Sequence, residues 1–298
     1  MRYAFIERHQ RVWPIVDQCR VLEVAVSGFR AWRQRPFAKL GATPGGRVTD
    51  LALVTHIRAE FATSKETYGW PRIYRQLRSK GLAVGKERVR KAMKNNDIRV
   101  RSRRRFKVTT DSRHNLPIAP NLLNRQFATE APNKVWVGDI TYVWTAEGWL
   151  YLAIVIDLFS RQLVGFAMAD HMGAQLVVDV LRMAWFRRKP EPGLIFHSDR
   201  GSQYASTAFA TQISTFAMRS SMSRKGDCWD NAVAESLFGS LKTESLHRHD
   251  FGTRRAAGDE VMAWITTYNH SRLHSTLGYI SPMAYEKNWL AGMLAHAA

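Results

Sequence analysis

Val135-Trp136-Val137-Gly138-Asp139-Ile140-Thr141-Tyr142-Val143 reads as a β-strand, and it carries the residue on which the fold turns. Alternation along a strand sends Val135, Val137, Asp139, Thr141 and Val143 to one face. Asp139 is then an acid in an otherwise largely apolar row. A carboxylate placed there needs a partner, and a metal ion is a good one.

Two more acids share its character. Asp199 ends the strand-like run Leu194-Ile195-Phe196-His197-Ser198-Asp199-Arg200-Gly201, at a carboxyl edge where α/β folds place ligands. Glu235 lies in the helical stretch Asn231-Ala232-Val233-Ala234-Glu235-Ser236-Leu237-Phe238, with Lys242 two turns later on nearly the same face. The acids are separated by 59 and 35 intervening residues. Carboxylates from two strand ends and a helix suit hard divalent cations, and such sites cut and join phosphodiester bonds. A lone acid is ordinarily a solvated charge, so the reading rests on all three together.

The surrounding pattern predicts an α/β domain. Strands are expected at about 135–143, 149–157 and 162–169, a helix at 173–188, a strand at 194–198 and a helix at 206–216. A short strand near 217–222 precedes the Glu235 helix at about 230–246. Three successive strands followed by alternating helix and strand make a sheet with a meander at one edge. Asp157 also ends a strand, as a fourth ligand or a structural acid. His197 either binds metal or forms hydrogen bonds, the second fitting better because Mg²⁺ prefers oxygen. Asp227 and Asp230 are placed to cap the Glu235 helix. Cys228 has no nearby His partner in a nucleophile pattern.

The rest of the chain is basic and helical. Net charge is +19, and residues 1–115 hold 27 Lys and Arg against 9 Asp and Glu. That imbalance points to a polyanion, although a solubilising surface or an arm for anionic lipid has the same charge. Two short helices over 12–33, the second capped by Ser27, resemble a helix-turn-helix, and Pro36–Arg47 reads as a linker. Thr49 caps a helix running to Phe61, Pro71 begins another, and Lys86–Asn95 forms a third with Val89, Ala92 and Met93 inward. Lys86, Arg90, Lys91 and Lys94 then face outward, as on a DNA-reading helix. Arg101, Arg103, Arg104 and Arg105 stand in a run too charged to pack, suited to tracking phosphates. A 45% hydrophobic, 11% aromatic composition supports a real core, and two cysteines fit a reducing compartment. No apolar run has the length of a membrane span, and the N-terminus lacks a secretory segment, so the chain is expected to be cytoplasmic.

The motifs around Asp139, around His197-Ser198-Asp199-Arg200-Gly201-Ser202-Gln203-Tyr204, and from Asp230 through Glu235 to Lys242 resemble those of DDE transposases. More narrowly, they resemble the second-reading-frame proteins of bacterial insertion sequences in the retroviral-integrase superfamily. The tail Tyr268-Asn269-His270-Ser271-Arg272-Leu273-His274 and the early Tyr68-Gly69-Trp70-Pro71 are similar too, so the likeness spans the chain. It implies a ribonuclease-H-like (integrase) catalytic core preceded by an all-α helix-turn-helix region. It also implies Asp139, Asp199 and Glu235 as catalytic metal ligands, Lys242 as a DNA contact, and a pair of Mg²⁺ or Mn²⁺ ions as cofactor. Double-stranded DNA is the implied partner, at element ends and target, with a homo-oligomer on the DNA and an upstream-frame protein or fusion partner. The location it implies is the bacterial nucleoid. The expected segments are 1–47 (helical segment and linker), 48–98 (helix-turn-helix-like domain), 99–133 (basic arm), 134–250 (core) and 251–298 (helical extension). A plain metal-dependent nuclease would explain the acids but not the large basic helical region. A repressor with a non-catalytic core would have no use for all three acids.

Overall fold

A computed structural model describes residues 2–10, 12–34, 42–43, 47–100, 116–224 and 228–297. The chain divides into two compact units, 1–100 and 101–298.

The first unit opens with α1 (Arg2–His9), α2 (Ile15–Val21) and α3 (Val26–Gln34). Ile6, Cys19 and Phe29, one from each helix, are buried against one another. Helix α1 has no counterpart in the sequence reading, and Ser27 sits inside α3 rather than capping it. Short pairing of β1 (Ala42–Thr43) with β2 (Arg47–Val48) falls where only a linker is expected. Helices α4 (Asp50–Thr63), α5 (Trp70–Ser79) and α6 (Lys86–Asn95) follow. Thr49 accepts the Ala52 N–H and so caps α4, as its residue type favours. Leu53, Ile57, Ile73, Leu77, Val89 and Met93 are buried, which leaves the basic face of α6 outward.

The second unit is built on one five-stranded sheet. Its strands are β3 (Val135–Thr145), β4 (Gly148–Asp157), β5 (Leu163–Ala169), β6 (Ile195–Ser198) and β7 (Arg219–Met222), in spatial order β5-β4-β3-β6-β7. The β3–β4–β5 meander is antiparallel, whereas β6 pairs parallel to β3 and β7 parallel to β6. Helices α7 (Ala174–Arg188) and α8 (Thr207–Thr215) bury one face, centred on Trp136, Val155, Val164 and Phe196. Helices α9 (Ala232–Glu244) and α10 (Arg254–His270) bury the other, against Val137, Val143, Leu152 and Ile154. A final helix, α11 (Pro282–Ala297), follows the tail motif.

Gly165 explains how closely α7 sits on the sheet. A Cβ there would stand 2.7 Å from the Val180 carbonyl oxygen and 2.9 Å from the Ala184 Cβ. Asp157 serves the fold: it is buried and accepts from the Asn133 N–H at 2.6 Å, the Trp136 indole at 3.2 Å and the Phe159 N–H at 2.8 Å. Burial raises its pKa, against the pull of those donors and of Arg188.

Candidate active site

Strand register brings the first two acids near each other. Parallel β3 and β6 align Val137 with His197; Asp139 lies two residues on along β3, and Asp199 follows β6 one residue past its end at Ser198. Adjacent strands lie about 4.8 Å apart, close enough for two carboxylates to feel each other strongly. Glu235 arrives from the first turn of α9, on its exposed side, while Ala234, Leu237, Phe238 and Leu241 bury the opposite side.

Electrostatics ties these groups together. Asp139 is half-buried and its pKa is raised well above the usual carboxylate range, first by burial and then by the charge of Asp199. Glu235 pushes it further up, while the Ile140 N–H, donating at 2.7 Å, and the Lys242 ammonium draw it down. Asp199 Oδ1 accepts the Gly201 N–H at 3.0 Å. A Cβ on Gly201 would stand 3.1 Å from that same oxygen, so glycine allows the turn to close on the acid.

Near enough to both acids to feel their charge lies Tyr204. Its ring is buried against Phe196 and Phe209, and its hydroxyl has no hydrogen-bond partner among the described residues. Burial, Asp139 and Asp199 all raise the Tyr204 pKa, which places the phenol in the same field. Gly138 makes room for it, because a Cβ there would meet the Phe196 ring and stand 3.3 Å from the Tyr204 hydroxyl. Tyr204 stands in the motif around Asp199, where the sequence alone gives it no role. Its position five residues beyond Asp199, where the chain folds back under the strand end, is the available signal.

As the side chains stand, no group of three or more His, Cys, Asp or Glu among the described residues is drawn up to hold a metal ion. The donor set nonetheless suits a hard cation. It is all oxygen, Asp199 and Glu235 raise the affinity of Asp139 for positive charge, and an orphaned buried hydroxyl adjoins it.

His197 is no part of that set. It is fully buried, its Nδ1 lies 2.9 Å from Ser221 Oγ and its Nε2 3.2 Å from Ser223 Oγ. Ser221 Oγ already accepts from the Leu122 and Leu123 N–H groups, so its proton points to Nδ1. The imidazole therefore carries its proton on Nε2, and Ser223 passes its own to the Ser198 carbonyl at 3.2 Å.

Helix α9 is fastened at both ends. A 3-10 helix, Cys228–Asn231, leads into it, and Asp230 there does not cap. Instead its buried carboxylate accepts from Asn121 Nδ2, Arg125 Nε, the Arg224 backbone N–H and the Arg224 guanidinium at 2.9–3.1 Å. The Arg224 guanidinium above all, with Arg125, holds the Asp230 pKa far below the usual carboxylate range. An acid with so many donors across the chain has a stronger claim on its oxygens than a helix terminus does. Asp227 lies outside the described residues. At the other end, Glu244 takes a two-pronged bond from Arg272 and another from the Trp264 indole at 3.3 Å.

Lys242 is half-buried with its ammonium 5.2 Å from the centre of the Tyr142 ring. Lys86, Arg90, Lys91 and Lys94 are all exposed on α6, and Arg90 reaches Glu87 at 2.9 Å. Arg88, between them, is spent on Asp50 at the start of α4. Arg101, Arg103, Arg104 and Arg105 lie outside the described residues.

Comparison with known proteins bears directly on this arrangement. Two Integrase core domain families match residues 129–228 and 217–282, and an HTH-like domain matches 49–106. The chain is 41% identical over 292 residues to the transposase InsF for insertion sequence IS3A of Escherichia coli (strain K12), covering 98% of this chain and 100% of that protein. An uncharacterized 31 kDa protein of insertion element IS600 from Shigella sonnei is also 41% identical, over 91% of this chain and 98% of its own. Among solved structures, the simian T-cell lymphotropic virus intasome with PP2A regulatory subunit B56 gamma aligns at 15% identity and a TM-score of 0.47, covering 78% of this chain and 74% of that one. With InsF matched end to end and the integrase core and HTH-like domains in sequence, the chain belongs to the IS3-type insertion-sequence transposases.

Proposed function

We propose that Asp139, Asp199 and Glu235 are the ligands of a Mg²⁺ or Mn²⁺ pair at which this transposase cuts and rejoins DNA at the ends of its element. The observation that carries the reading is the shared field. Asp139 lies in β3 and Asp199 just past the end of the neighbouring β6, and Asp199, Glu235 and Lys242 all act on Asp139. When bound, the ions supply Lewis-acid activation of water and stabilisation of a leaving 3′ oxygen.

The chain's own residues do the rest. The two strand acids and the helix acid supply oxygens on different elements, so the scissile phosphate is approached from more than one side. Lys242 meets a phosphate oxygen beside them. The Tyr204 hydroxyl, still without a partner among the described residues, is a donor that a carboxylate oxygen can take up once metal and DNA draw the acids together. In the first step, water oxygen bonds to phosphorus and the 3′ oxygen leaves with a proton. In the second, that 3′ hydroxyl takes the water's place: its oxygen bonds to the phosphorus of a second phosphodiester, whose own 3′ oxygen leaves with the proton, so no covalent enzyme intermediate is needed.

The domain reading follows the same logic. Residues 48–98 read duplex DNA through Lys86, Arg90, Lys91 and Lys94 on α6. The arm at 99–133 tracks phosphates through Arg101, Arg103, Arg104 and Arg105, ahead of the core at 134–250 and its extension at 251–298. Pairing two element ends calls for a homo-oligomer on the DNA, and an upstream-frame protein or fusion is the further partner. No helix among the described residues is long and apolar enough to cross a membrane, in keeping with a place at the nucleoid.

The test is direct. Purified Asp139→Asn, Asp199→Asn and Glu235→Gln proteins are expected to bind end duplexes as the parent does, yet to nick and join none with Mg²⁺ or Mn²⁺. Undiminished cleavage by the triple variant would remove the reading.

A further inference from the structure

The sheet face covered by α7 and α8 loses that cover towards the tip of the β3–β4 hairpin. Trp144 pairs across the strands with Trp149, and Tyr142 with Tyr151, so alternation puts all four rings on one face. Tyr142 and Tyr151 are half-buried, but Trp149 is 41% exposed and Trp144 61%. Two neighbouring tryptophans this open on an otherwise well-filled domain need an explanation.

Their geometry is ordered. Trp144 and Trp149 meet at 4.8 Å and 71°, Trp149 and Tyr142 at 4.9 Å and 80°, each edge to face. The hairpin that carries them is anchored rather than loose. Ala146 N–H donates to the Phe251 carbonyl at 2.9 Å, Glu147 takes the Arg254 N–H at 2.8 Å, and Arg254 Nε reaches the Trp149 carbonyl at 3.0 Å. Rigid aromatic rings held in fixed order lose little freedom on binding.

One end of the ladder adjoins the candidate active site. Lys242 stands over the Tyr142 ring, and its charge reaches Asp139. Flat apolar faces grading into an ammonium match a nucleotide, which joins an aromatic base to a phosphate. They match a second protein surface less well, since that surface would have to bury the ammonium. We propose that Tyr142, Trp144 and Trp149 form a stacking platform for unpaired nucleobases of the DNA end, beside the phosphate held near Lys242. This rests on the reading of Asp139, Asp199 and Glu235 as the place of strand cleavage. It adds that the terminal base pairs open and that their bases lie on the hairpin.

The experiment uses the full chain and two fluorescent duplexes carrying the element's own terminal sequence, one fully paired and one with its last three pairs mismatched. A 2-aminopurine in the mismatched end reports stacking directly. The parent should prefer the mismatched duplex and quench the 2-aminopurine. Because a base on an aromatic ring contributes about 1–3 kcal/mol, Trp144→Ala and Trp149→Ala should each weaken the mismatched complex by about fivefold to a hundredfold. The same variants should leave the paired duplex bound as before, and Trp144→Phe should restore most of the loss. Equal weakening on both duplexes, an unchanged preference, or a shift in sedimentation with DNA binding untouched would each overturn the platform. Stacking is scored without divalent metal and again in Asp139→Asn protein, so it stands or falls apart from the cleavage chemistry.

Discussion

His197 should make the fold of the core sensitive to mild acid. It is fully buried between two serines, with Nδ1 already accepting the Ser221 proton, so a second proton there would face an O–H that cannot turn away. Burial lowers its pKa from 6.5 to about 4, despite the nearby negative charge of Asp230. The group is neutral in the folded chain and protonates readily once unfolded, so its contribution is whole above pH 6.5 and is lost as pH falls towards 4. At about 1.4 kcal/mol per pH unit, the full loss is about 3 kcal/mol, of which about 2 kcal/mol falls between pH 7 and pH 5. Urea unfolding of the parent and of His197→Asn, followed by near-ultraviolet circular dichroism without divalent metal, measures it. Asparagine is worse at pH 7 because it cannot reach Ser223, but its deficit should shrink by about 2 kcal/mol at pH 5. Parallel stability profiles for the two proteins across that interval would refute the buried neutral tautomer.

Three further outcomes are expected. Gly165→Ala should cost about 1–3 kcal/mol, since α7 must lift off β5, and thermal unfolding reads it as a lowered Tm. Arg272→Met strands the Glu244 carboxylate where both partners are largely buried and should cost about 3 kcal/mol or more. Denaturant titration should show much of that returned in the double variant with Glu244→Gln. Tyr204→Phe deletes a hydroxyl with no partner, so stability should hold or rise slightly while metal-dependent nicking slows. An unchanged nicking rate would remove the tyrosine from the site.

What could be read from the chain follows the range of the forces involved. The β3 row Val135, Val137 and Val143 goes inward as alternation requires, and α6 occupies the predicted Lys86–Asn95, because period and side-chain bulk are local properties. The strands β4, β5 and β6 likewise fall within a residue or two of expectation. Asp139, Asp199 and Glu235 are legible as candidates because an acid in an apolar strand row, one at a strand's end and one on a helix are conspicuous by type. Their shared field depends on the alignment of Val137 with His197, which no spacing reveals. Asp230 reads as a cap from its neighbours and becomes a clamp only through Asn121 and Arg125, more than a hundred residues away. Trp144 and Trp149 stay open at the hairpin tip, which their residue type does not reveal.

The fastening of segment 121–125 has a mechanical consequence. Leu122 and Leu123 hang on Ser221, and Asn121 and Arg125 on Asp230, so the stretch entering the core is stitched to β7 and to the root of α9. Tension on the chain upstream is met by these stitches before it can reach the carboxylates. Asp139 and Asp199 are thereby insulated from a pull on the chain that precedes the core.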